Sequence, residues 1–338
     1  MNLQHIFILL ISQIILNFFL LSFIKPISNF FNIFDYPDKN LKKHENATPL
    51  IGGIFIFLNL LFCITILLFL NIDIFPLDLD LKQKFSFFIL SVLLFILGIY
   101  DDKKNLFPLT KLIFASIIIF VCIFINDFLV IRSISISFVE NRVFFNELSL
   151  VFSILCILLF IHASNLFDGI NLQSILYFIV VFSYLLIFSN FKILCFIIII
   201  SLFFLLFMNY KNFLFLGDSG IYLLSSISSF IFISEYNNFK TILFADEIFI
   251  LMMVPGVDMI RLAILRLVKG KNPFKGDREH IHHLLIKKLT INETNLVVFL
   301  MVFLPILFFK IFNISLLSII ISFLIFYIAL ISFLIKTR

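Results

Sequence analysis

The sequence has few charged residues and leaves little room for a soluble domain. Lys, Arg, Asp and Glu make up 13% of its 338 residues, whereas 62% are hydrophobic. The mean hydropathy is +1.18. No globular core needs so much continuous apolar sequence, of which residues 191–208 are one run. The scarcity of charge therefore excludes a soluble protein and predicts a polytopic membrane protein.

Cysteine is also scarce, and its placement argues against disulfides. The chain has four cysteines and no Cys-x-x-Cys motif. Each of them lies within an apolar segment, where a cysteine is most simply a small packing residue. They are Cys63, Cys122, Cys156 and Cys195.

The chain lacks long linkers, low-complexity tracts and recognisable repeats, so we expect a single membrane domain over residues 1–338. It also lacks a basic residue before its first apolar run. A cleavable signal peptide normally begins with positive charge. The first segment is therefore expected to stay as a membrane span.

Eleven apolar segments predict an all-α protein with about eleven transmembrane helices, or ten if one boundary is misjudged. Two longer runs, 172–208 and 295–335, exceed ~50 Å as single helices, against about 30 Å of hydrocarbon. We expect them to turn back near Asn190 and Asn313. The predicted spans are 6–24, 50–70, 85–100, 110–130, 148–163, 172–189, 191–208, 219–235, 242–266, 295–312 and 314–335.

Charge sets the expected orientation. Most of the 25 Lys and Arg residues lie in or beside the loops that follow odd-numbered spans and at the C-terminus. The positive-inside rule assigns that side to the cytoplasm and the N-terminus to the outside. The predicted cytoplasmic loops are 25–49, 101–109, 164–171, 209–218 and 267–294. On the outer side, residues 130–145 alternate in polarity and predict a small periplasmic β-hairpin, with a plain extended loop as the alternative.

Each predicted cytoplasmic loop carries a compact polar motif, and no outer loop has a comparable one. This asymmetry predicts one shared cytoplasmic site. For the last motif, a basic loop that merely follows the positive-inside rule is the alternative. The motifs are DYPDKNLKKHENATPLIGG (35–53), DDKKNL (101–106), NLFDGIN (165–171), GDSG (217–220) and GKNPFKGDREHIHH (270–283).

Adjacent carboxylates end the third span at Asp101 and Asp102. In a partly dehydrated place they repel each other unless a cation or proton intervenes, so they suggest a divalent ion. A solvated helix C-terminus is the alternative, although carboxylates there oppose the macrodipole. Lys111 could hold a phosphate or anchor the helix at the interface.

Two further loops place acids beside glycine. Asp168 follows Asn165 in a loop with no Lys or Arg, which hints at a buried polar site. Asp218 opens the eighth span, where helix-terminal amides attract anions. An ordinary N-cap by Asp218 or Ser219 explains the same pattern.

The ninth span contains charge that is expensive in a membrane. Asp258 and Arg261 are spaced for a local ion pair, and Arg266 follows. Structural pairing and substrate contact are equally compatible with Asp258. Pro255-Gly256 favours a broken or bent helix here.

The histidines at 280, 282 and 283 could suggest zinc, but no spacing completes a tetrahedral site and no thiolates are near. Carboxylates beside loops rich in Lys, Arg and Gly suit Mg²⁺ instead, with substrate phosphates as further ligands. Phosphoryl-group chemistry is the natural inference.

In chain order, these motifs resemble the polyprenyl-phosphate N-acetylhexosamine-1-phosphate transferases, over nearly the whole chain. The segment from Asp35 to Gly53 is similar to that family's first cytoplasmic loop, Asp101-Asp102 to its aspartate pair and Gly217–Gly220 to its metal-binding loop. The segment PFKGDREHIHHLL, from Pro273, is the most specific and resembles the branch that uses UDP-N-acetylglucosamine or related donors.

The resemblance implies that polyprenyl (undecaprenyl) phosphate attacks the β-phosphorus of a UDP-N-acetylhexosamine and releases UMP. This step would initiate a cell-surface glycan such as O-antigen or teichoic acid. The implied catalytic residues are Asp101, Asp102 and Asp168, and the metal ligands Asp218 and Asp102. The implied substrate-binding residues are Lys43, His44, Lys111, Asn165, Asn171, Asp258, Arg278, His280, His282 and His283.

The resemblance also implies Mg²⁺ as cofactor, with Mn²⁺ as the alternative, and no nucleic-acid partner. The protein would lie among the lipids of the bacterial inner membrane with its site in the cytoplasm, with a homodimer as one option for its assembly. One departure concerns a second family aspartate, which is Asn171 here, followed by Leu172 in place of glycine. Asn171 carries no charge, so a metal or base role there is in doubt.

A transporter or flippase of lipid-linked sugars is the main alternative function, although such proteins often contain inverted repeats. A non-catalytic scaffold would tolerate the loss of all five motifs. A CDP-alcohol phosphatidyltransferase needs further spaced aspartates after an Asp-Gly, and the residues after Asp168-Gly169 provide none.

Overall fold

The computed structural model describes residues 3–35, 47–239, 241–273 and 278–336. Helices dominate this part of the chain, as predicted. In lipid a helix satisfies every backbone hydrogen bond within its own segment. The helices are α1 (Leu3–Phe31), α2 (Gly52–Phe69), α3 (Leu81–Lys104), α4 (Pro108–Ile125), α5 (Ser149–Phe167), α6 (Gln173–Phe188), α7 (Lys192–Tyr210), α8 (Gly217–Ser234), α9 (Ala245–Val268), α10 (Ile281–Ile286), α11 (Ile291–Lys310) and α12 (Leu316–Lys336).

Every predicted span coincides with one of these helices, and the fold class is confirmed. Within the described residues, nine helices are long and apolar enough to cross a membrane. The two predicted spans outside this group are α6, with 16 residues, and α8. Helix α8 is rich in serine and almost wholly buried, so it does not need an apolar surface facing lipid. The predicted turns near Asn190 and Asn313 are confirmed.

Several boundaries differ from the prediction. Helix α1 continues to Phe31, past its predicted end at 24, and includes Pro26. Helix α5 continues to Phe167, so Asn165 lies in its last turn and not in a loop. Helix α9 is continuous through Pro255, so of the broken or bent helix that was predicted, the break is excluded. Neighbouring helices and local adjustments allow membrane helices to tolerate proline in this way.

Two antiparallel strand pairs complete the secondary structure. In the first pair, β1 (Phe34–Asp35) lies beside β2 (Thr48–Pro49). In the second, β3 (Ser133–Ile134) lies beside β4 (Val143–Phe144), which confirms the hairpin predicted at 130–145. The first pair escaped prediction because strands of two residues carry no readable alternation.

The chain forms two compact units. Unit 1 contains residues 1–128 and 181–231, and unit 2 contains residues 129–180 and 232–338. In unit 1, α3 packs on α4, and α1, α2 and α7 pack together. In unit 2, α9 packs on α5, α11 and α12, and the short α10 packs on α11 and α12. Each unit brings together a different group of the predicted site residues.

Candidate functional site

In unit 1, three helix ends bring predicted site residues together in an acidic cluster, made of Asp101, Asp102, Lys111 and Asp218. The carboxylates of Asp101 and Asp102 come from the last turn of α3, Lys111 from the first turn of α4 and Asp218 from the first turn of α8. Lys111 Nζ lies 2.6 Å from Asp101 Oδ2 and 3.3 Å from Asp218 Oδ2. One ammonium group thus contacts two carboxylates that are 117 residues apart in sequence and offsets the charge of one of them.

Within this cluster the two central carboxylates differ in access. The Asp101 side chain is 1% exposed and that of Asp218 is 27% exposed. Asp101 also accepts a hydrogen bond from the Leu106 amide at 3.0 Å, and the Tyr222 hydroxyl donates to it at 3.5 Å. Asp218 is therefore the carboxylate best placed to meet a ligand from outside the protein.

Asp102 holds the start of α8. Its Oδ1 accepts from the Asp218 amide at 2.7 Å and its Oδ2 from the Ser219 amide at 2.9 Å. These amides are among the unpaired donors at a helix N-terminus, where negative charge is favourable. The alternative of a local N-cap by Asp218 or Ser219 is thus replaced by a carboxylate from α3. Asp102 fixes the position from which Asp218 projects.

Close backbone packing surrounds the same segment. A Cβ on Gly98 would lie 2.5 Å from Ser219 Cα, and one on Gly53 would lie 2.3 Å from the Gly220 nitrogen. The start of α2 pairs with the residues before α8 through three backbone hydrogen bonds. These run from Gly52 N to Phe215 O at 2.9 Å, from Gly53 N to Leu216 O at 3.0 Å and from Phe215 N to Pro49 O at 2.8 Å.

The acidic cluster has the donor chemistry that Mg²⁺ requires. Within the described part of the chain, no three His, Cys, Asp or Glu side chains are grouped to hold a metal ion by themselves. Mg²⁺ commonly binds through one or two carboxylates and completes its shell with water and substrate phosphates. The oxygens of Asp101 and Asp218, both within reach of the Lys111 ammonium, fit that pattern.

In unit 2, Asp258 is the centre of a second group, the histidine cluster, made of Asp258, Arg261, His280, His282 and Tyr327. The Asp258 side chain is 3% exposed. It accepts hydrogen bonds from Arg261 Nη2 at 2.8 Å, His280 Nδ1 at 2.8 Å and the Tyr327 hydroxyl at 2.6 Å. The predicted local ion pair with Arg261 is confirmed. Because these donors are protein groups, the structure favours structural pairing for Asp258 over substrate contact.

His282 lies deeper than its neighbours. It is 1% exposed, and its Nδ1 lies 3.4 Å from Gln173 Nε2. A Cβ on Gly169 would lie 1.8 Å from His282 Nε2, so the ring packs directly on the backbone of the Asp168 loop. Burial lowers the pKa of His282 well below its ordinary value. Burial, together with the nearby groups of His280 and Arg278, lowers the pKa of His283 to about 4. Both rings are neutral at pH 7.

The loop that follows α5 carries the remaining acid of unit 2. Asp168 is exposed at the C-terminus of α5. The Asn171 carbonyl accepts from Asn295 Nδ2 at 2.9 Å, which ties the loop to α11. Leu172 has φ +75°, in the left-handed region that a bulky side chain rarely adopts. The structure therefore places Asn165, Asp168 and Asn171 along one short segment.

Three further residues of the predicted substrate-binding set, Arg278, Lys43 and His44, lie outside these two clusters or outside the described residues. Arg278 is exposed at the start of the segment that leads to α10. Lys43 and His44 lie outside the described residues. The same is true of residues 274–277, which belong to the motif before the histidines.

Sequence reasoning missed several residues that hold these clusters together. They are Gly98, Gln173, Tyr222, Asn295 and Tyr327. Some carried a signal: a polar residue in an otherwise apolar membrane span is expensive and often functional, which applies to Asn295 and Tyr327. Gly98 stands three residues before the aspartate pair in a chain with only 9 glycines.

Comparison with known proteins finds one matching family model and a similar bacterial protein. Residues 84–235, which include the whole acidic cluster, match the model for glycosyl transferase family 4. A protein of Thermotoga maritima named undecaprenyl-phosphate alpha-N-acetylglucosaminyl 1-phosphate transferase is 29% identical over 283 residues, which cover 82% of this chain and 81% of that protein. Together with the order of the motifs along an all-α membrane fold, both likenesses support the resemblance of the chain to glycosyl transferase family 4.

Proposed function

We propose that this protein transfers an N-acetylhexosamine 1-phosphate from a UDP-sugar to polyprenyl phosphate and releases UMP. The observation that carries the proposal is the acidic cluster, in which Asp101, Lys111 and Asp218 meet at the N-terminus of α8. The similar Thermotoga protein is named for an undecaprenyl-phosphate acceptor and an N-acetylglucosaminyl 1-phosphate group. We extend that acceptor and the class of sugar to this chain.

The proposed reaction is a displacement at phosphorus. An oxygen of the polyprenyl phosphate forms a bond to the β-phosphorus of the donor. The bond from that phosphorus to the oxygen bridging the two donor phosphates breaks, and UMP keeps this oxygen. A phosphate monoester has a second pKa of about 6, so the acceptor is mostly dianionic at pH 7. Neutralising and aligning the charged phosphates therefore matters more than removing a proton.

The acidic cluster would hold the cofactor. Asp218, which is 27% exposed, is the proposed first Mg²⁺ ligand, and Asp101 or Asp102 would be the second, although protein donors already contact both. A bound Mg²⁺ would supply positive charge to the phosphates of the substrates. Lys111, which lies between the carboxylates of Asp101 and Asp218, adds a second positive charge and is suited to contact a phosphate oxygen.

The residues of unit 2 would recognise the donor. His282 and His283 are neutral at pH 7, so they act through hydrogen bonding or packing, and Arg278 supplies positive charge. Asp168, exposed beside Gly169, is suited to hydrogen-bond the sugar or nucleotide. These residues would decide which N-acetylhexosamine is transferred, and the sugar in turn decides which glycan is begun. We propose that the site faces the cytoplasm of a bacterial inner membrane.

The proposal predicts that Asp218→Asn abolishes transfer while the protein stays folded. Removing one of two acidic ligands weakens Mg²⁺ binding, and we expect at least a 100-fold loss in rate, as for groups that stabilise charge in transition states. The measurement is the incorporation of sugar-labelled UDP-N-acetylhexosamines into extracted lipid by membranes with added undecaprenyl phosphate and Mg²⁺.

Asp78→Asn is the matched control, since Asp78 is an exposed acid in the loop before α3. It should transfer label at the wild-type rate. Near-normal transfer by Asp218→Asn would remove Asp218 from the metal site. Failure of the wild-type protein to label lipid with every donor would refute the function itself.

A further inference from the structure

Tyr327, in the last helix of the chain, reaches the histidine cluster with its hydroxyl group. The side chain is 2% exposed on α12. The hydroxyl donates to Asp258 Oδ1 at 2.6 Å and accepts from Arg261 Nε at 2.9 Å. A tyrosine hydroxyl has one hydrogen to donate and lone pairs to accept with. The Tyr327 hydroxyl thus donates to one charged residue of α9, Asp258, and accepts from another, Arg261.

Asp258 in turn accepts hydrogen bonds from the ring of His280 and from the backbone that follows it. Its Oδ2 accepts from His280 Nδ1 at 2.8 Å, and its Oδ1 accepts from the Ile281 amide at 3.2 Å. Arg261 Nη2 donates to the Glu279 carbonyl at 2.6 Å. The backbone is thus anchored on both sides of His280, at residues 279 and 281.

The pairing with Asp258 also selects the ring tautomer. A carboxylate accepts hydrogen bonds only, so His280 must carry a proton on Nδ1. That leaves Nε2 as the ring nitrogen that can act on another group, and the bond at Nδ1 decides its direction. In the proposed function, Nε2 is the ring atom of His280 that would contact an oxygen of the donor.

We propose that Tyr327 is a positioning residue for His280, acting through the carboxylate of Asp258. It makes no contact with substrate. Its hydroxyl holds Asp258 and Arg261 in the arrangement that orients the His280 ring. The inference rests on the proposed function, in which His280 binds the donor, and it gives the last helix a part in that binding.

The test is a double-mutant cycle on transfer kinetics. Tyr327→Phe removes only the hydroxyl, and we expect it to lower kcat/KM about tenfold, as does the loss of an outer partner of a functional histidine in metal sites. His280→Gln should lower kcat/KM at least as much. Because Tyr327 acts through His280, the double variant should be no worse than His280→Gln, so the two effects are not additive.

Ile331→Val is the matched control on the same helix. Ile331 is also buried, at 7% exposed, and its truncation disturbs the packing of α12 without touching the hydroxyl. We expect wild-type kcat/KM for this variant. A tenfold loss in Ile331→Val, or multiplicative losses in the double variant, would show that Tyr327 serves only the stability of α12 and would overturn the inference.

A second readout does not depend on turnover. Diethyl pyrocarbonate modifies neutral imidazole rings, and peptide mass spectrometry locates the product. In the wild-type protein His280 should react slowly, because it is 6% exposed and held by Asp258. In Tyr327→Phe we expect it to react several-fold faster, with no change in Ile331→Val.

An unchanged rate at His280 in Tyr327→Phe would contradict the positioning role even if no donor gave product. Conversely, an inactive wild-type protein with faster labelling in Tyr327→Phe would refute the proposed function and leave the link between Tyr327 and His280 standing. The two failures are therefore distinguishable.

Discussion

At the scale of single residues, Leu172 combines a bulky side chain with a backbone conformation that suits glycine. The resemblance implies a glycine at this position, and the φ of +75° lies in the left-handed region that glycine adopts readily. For a residue with a Cβ the left-handed region costs about 1–2 kcal/mol. The Asn295–Asn171 hydrogen bond, at 2.9 Å, helps to hold the loop against that cost. Strain of this kind tends to lie at functional sites, and here it lies beside Asp168.

The strain at Leu172 predicts that glycine gives a more stable protein than alanine at this position, the reverse of the order in a regular helix. Leu172→Gly and Leu172→Ala both remove the side chain, but only glycine relieves the left-handed backbone. We expect the glycine variant to be the more stable by about 1 kcal/mol. The measurement is the apparent Tm of detergent-solubilised protein. Unfolding is monitored by the reaction of a maleimide with cysteines that are buried in the folded protein, such as Cys63, Cys122 and Cys195.

Leu176 provides the control, because it lies in the regular helix α6 and is also half-buried. There the alanine variant should be more stable than the glycine variant, by about 0.5–1 kcal/mol. The same order at both positions would contradict a strained backbone at Leu172.

At the scale of elements, asparagine takes the place of glycine in most of the described left-handed turns. Six of the seven described non-glycine residues with positive φ are asparagines, at 32, 71, 105, 146, 212 and 313. Asparagine tolerates this region better than other residues with a Cβ. Several of the 9 glycines can therefore serve close packing around α8, as at Gly53 and Gly98.

Gly98→Ala tests this close packing. The new Cβ would meet the backbone of Ser219 at 2.5 Å, which no side-chain rotation can relieve. We expect α3 and α8 to separate, Asp102 to lose its bonds to the α8 amides, and transfer to fall at least tenfold with a lower apparent Tm. Thermal unfolding and sugar-transfer rates of the purified protein measure the two effects.

Gly256→Ala is the corresponding control on α9. A Cβ there has nothing within 4 Å, so this variant should keep its activity. It should also gain up to about 1 kcal/mol, since alanine favours helix more than glycine does. Equal losses of transfer rate and apparent Tm in Gly98→Ala and Gly256→Ala would contradict the packing argument.

At the scale of the whole molecule, the sequence was sufficient to predict the long apolar helices and insufficient to predict which residues of different helices meet. The helices follow from apolar runs, because lipid allows few other structures, and Asn190 and Asn313 marked the turns. Three relations could not be read from the chain: Asp102 capping α8, Tyr327 reaching Asp258, and His282 packing on Gly169. Each joins residues far apart in sequence, and periodicity reports only the face of one helix. That the five motif loops share one site stays a prediction.

Orientation is a further prediction at this scale. The charge bias places Lys104 and Lys211 in the cytoplasm and Glu140 and Asn141 outside. All four are exposed. Single cysteines at 140 or 141 should react with a membrane-impermeant maleimide in cells whose outer membrane is permeabilised and whose inner membrane is intact, whereas those at 104 or 211 should react only in inverted inner-membrane vesicles.

The alternative of a flippase predicts that motif residues become accessible from both sides during transport. Labelling at 104 or 211 in intact cells would support that alternative and contradict the proposed orientation. The native cysteines serve as the internal control, because three of the four are buried.

The central claim is that the sugar moves together with its phosphate, and the most direct measurement follows that phosphate. Purified protein is given undecaprenyl phosphate, Mg²⁺ and a UDP-N-acetylhexosamine labelled with ³²P at the β-phosphorus. The account predicts label in the lipid fraction, one UMP released per labelled lipid, and no product when Mg²⁺ is chelated. Label that stays in UDP while the sugar reaches the lipid, or a lipid fraction without label for every donor, would contradict it.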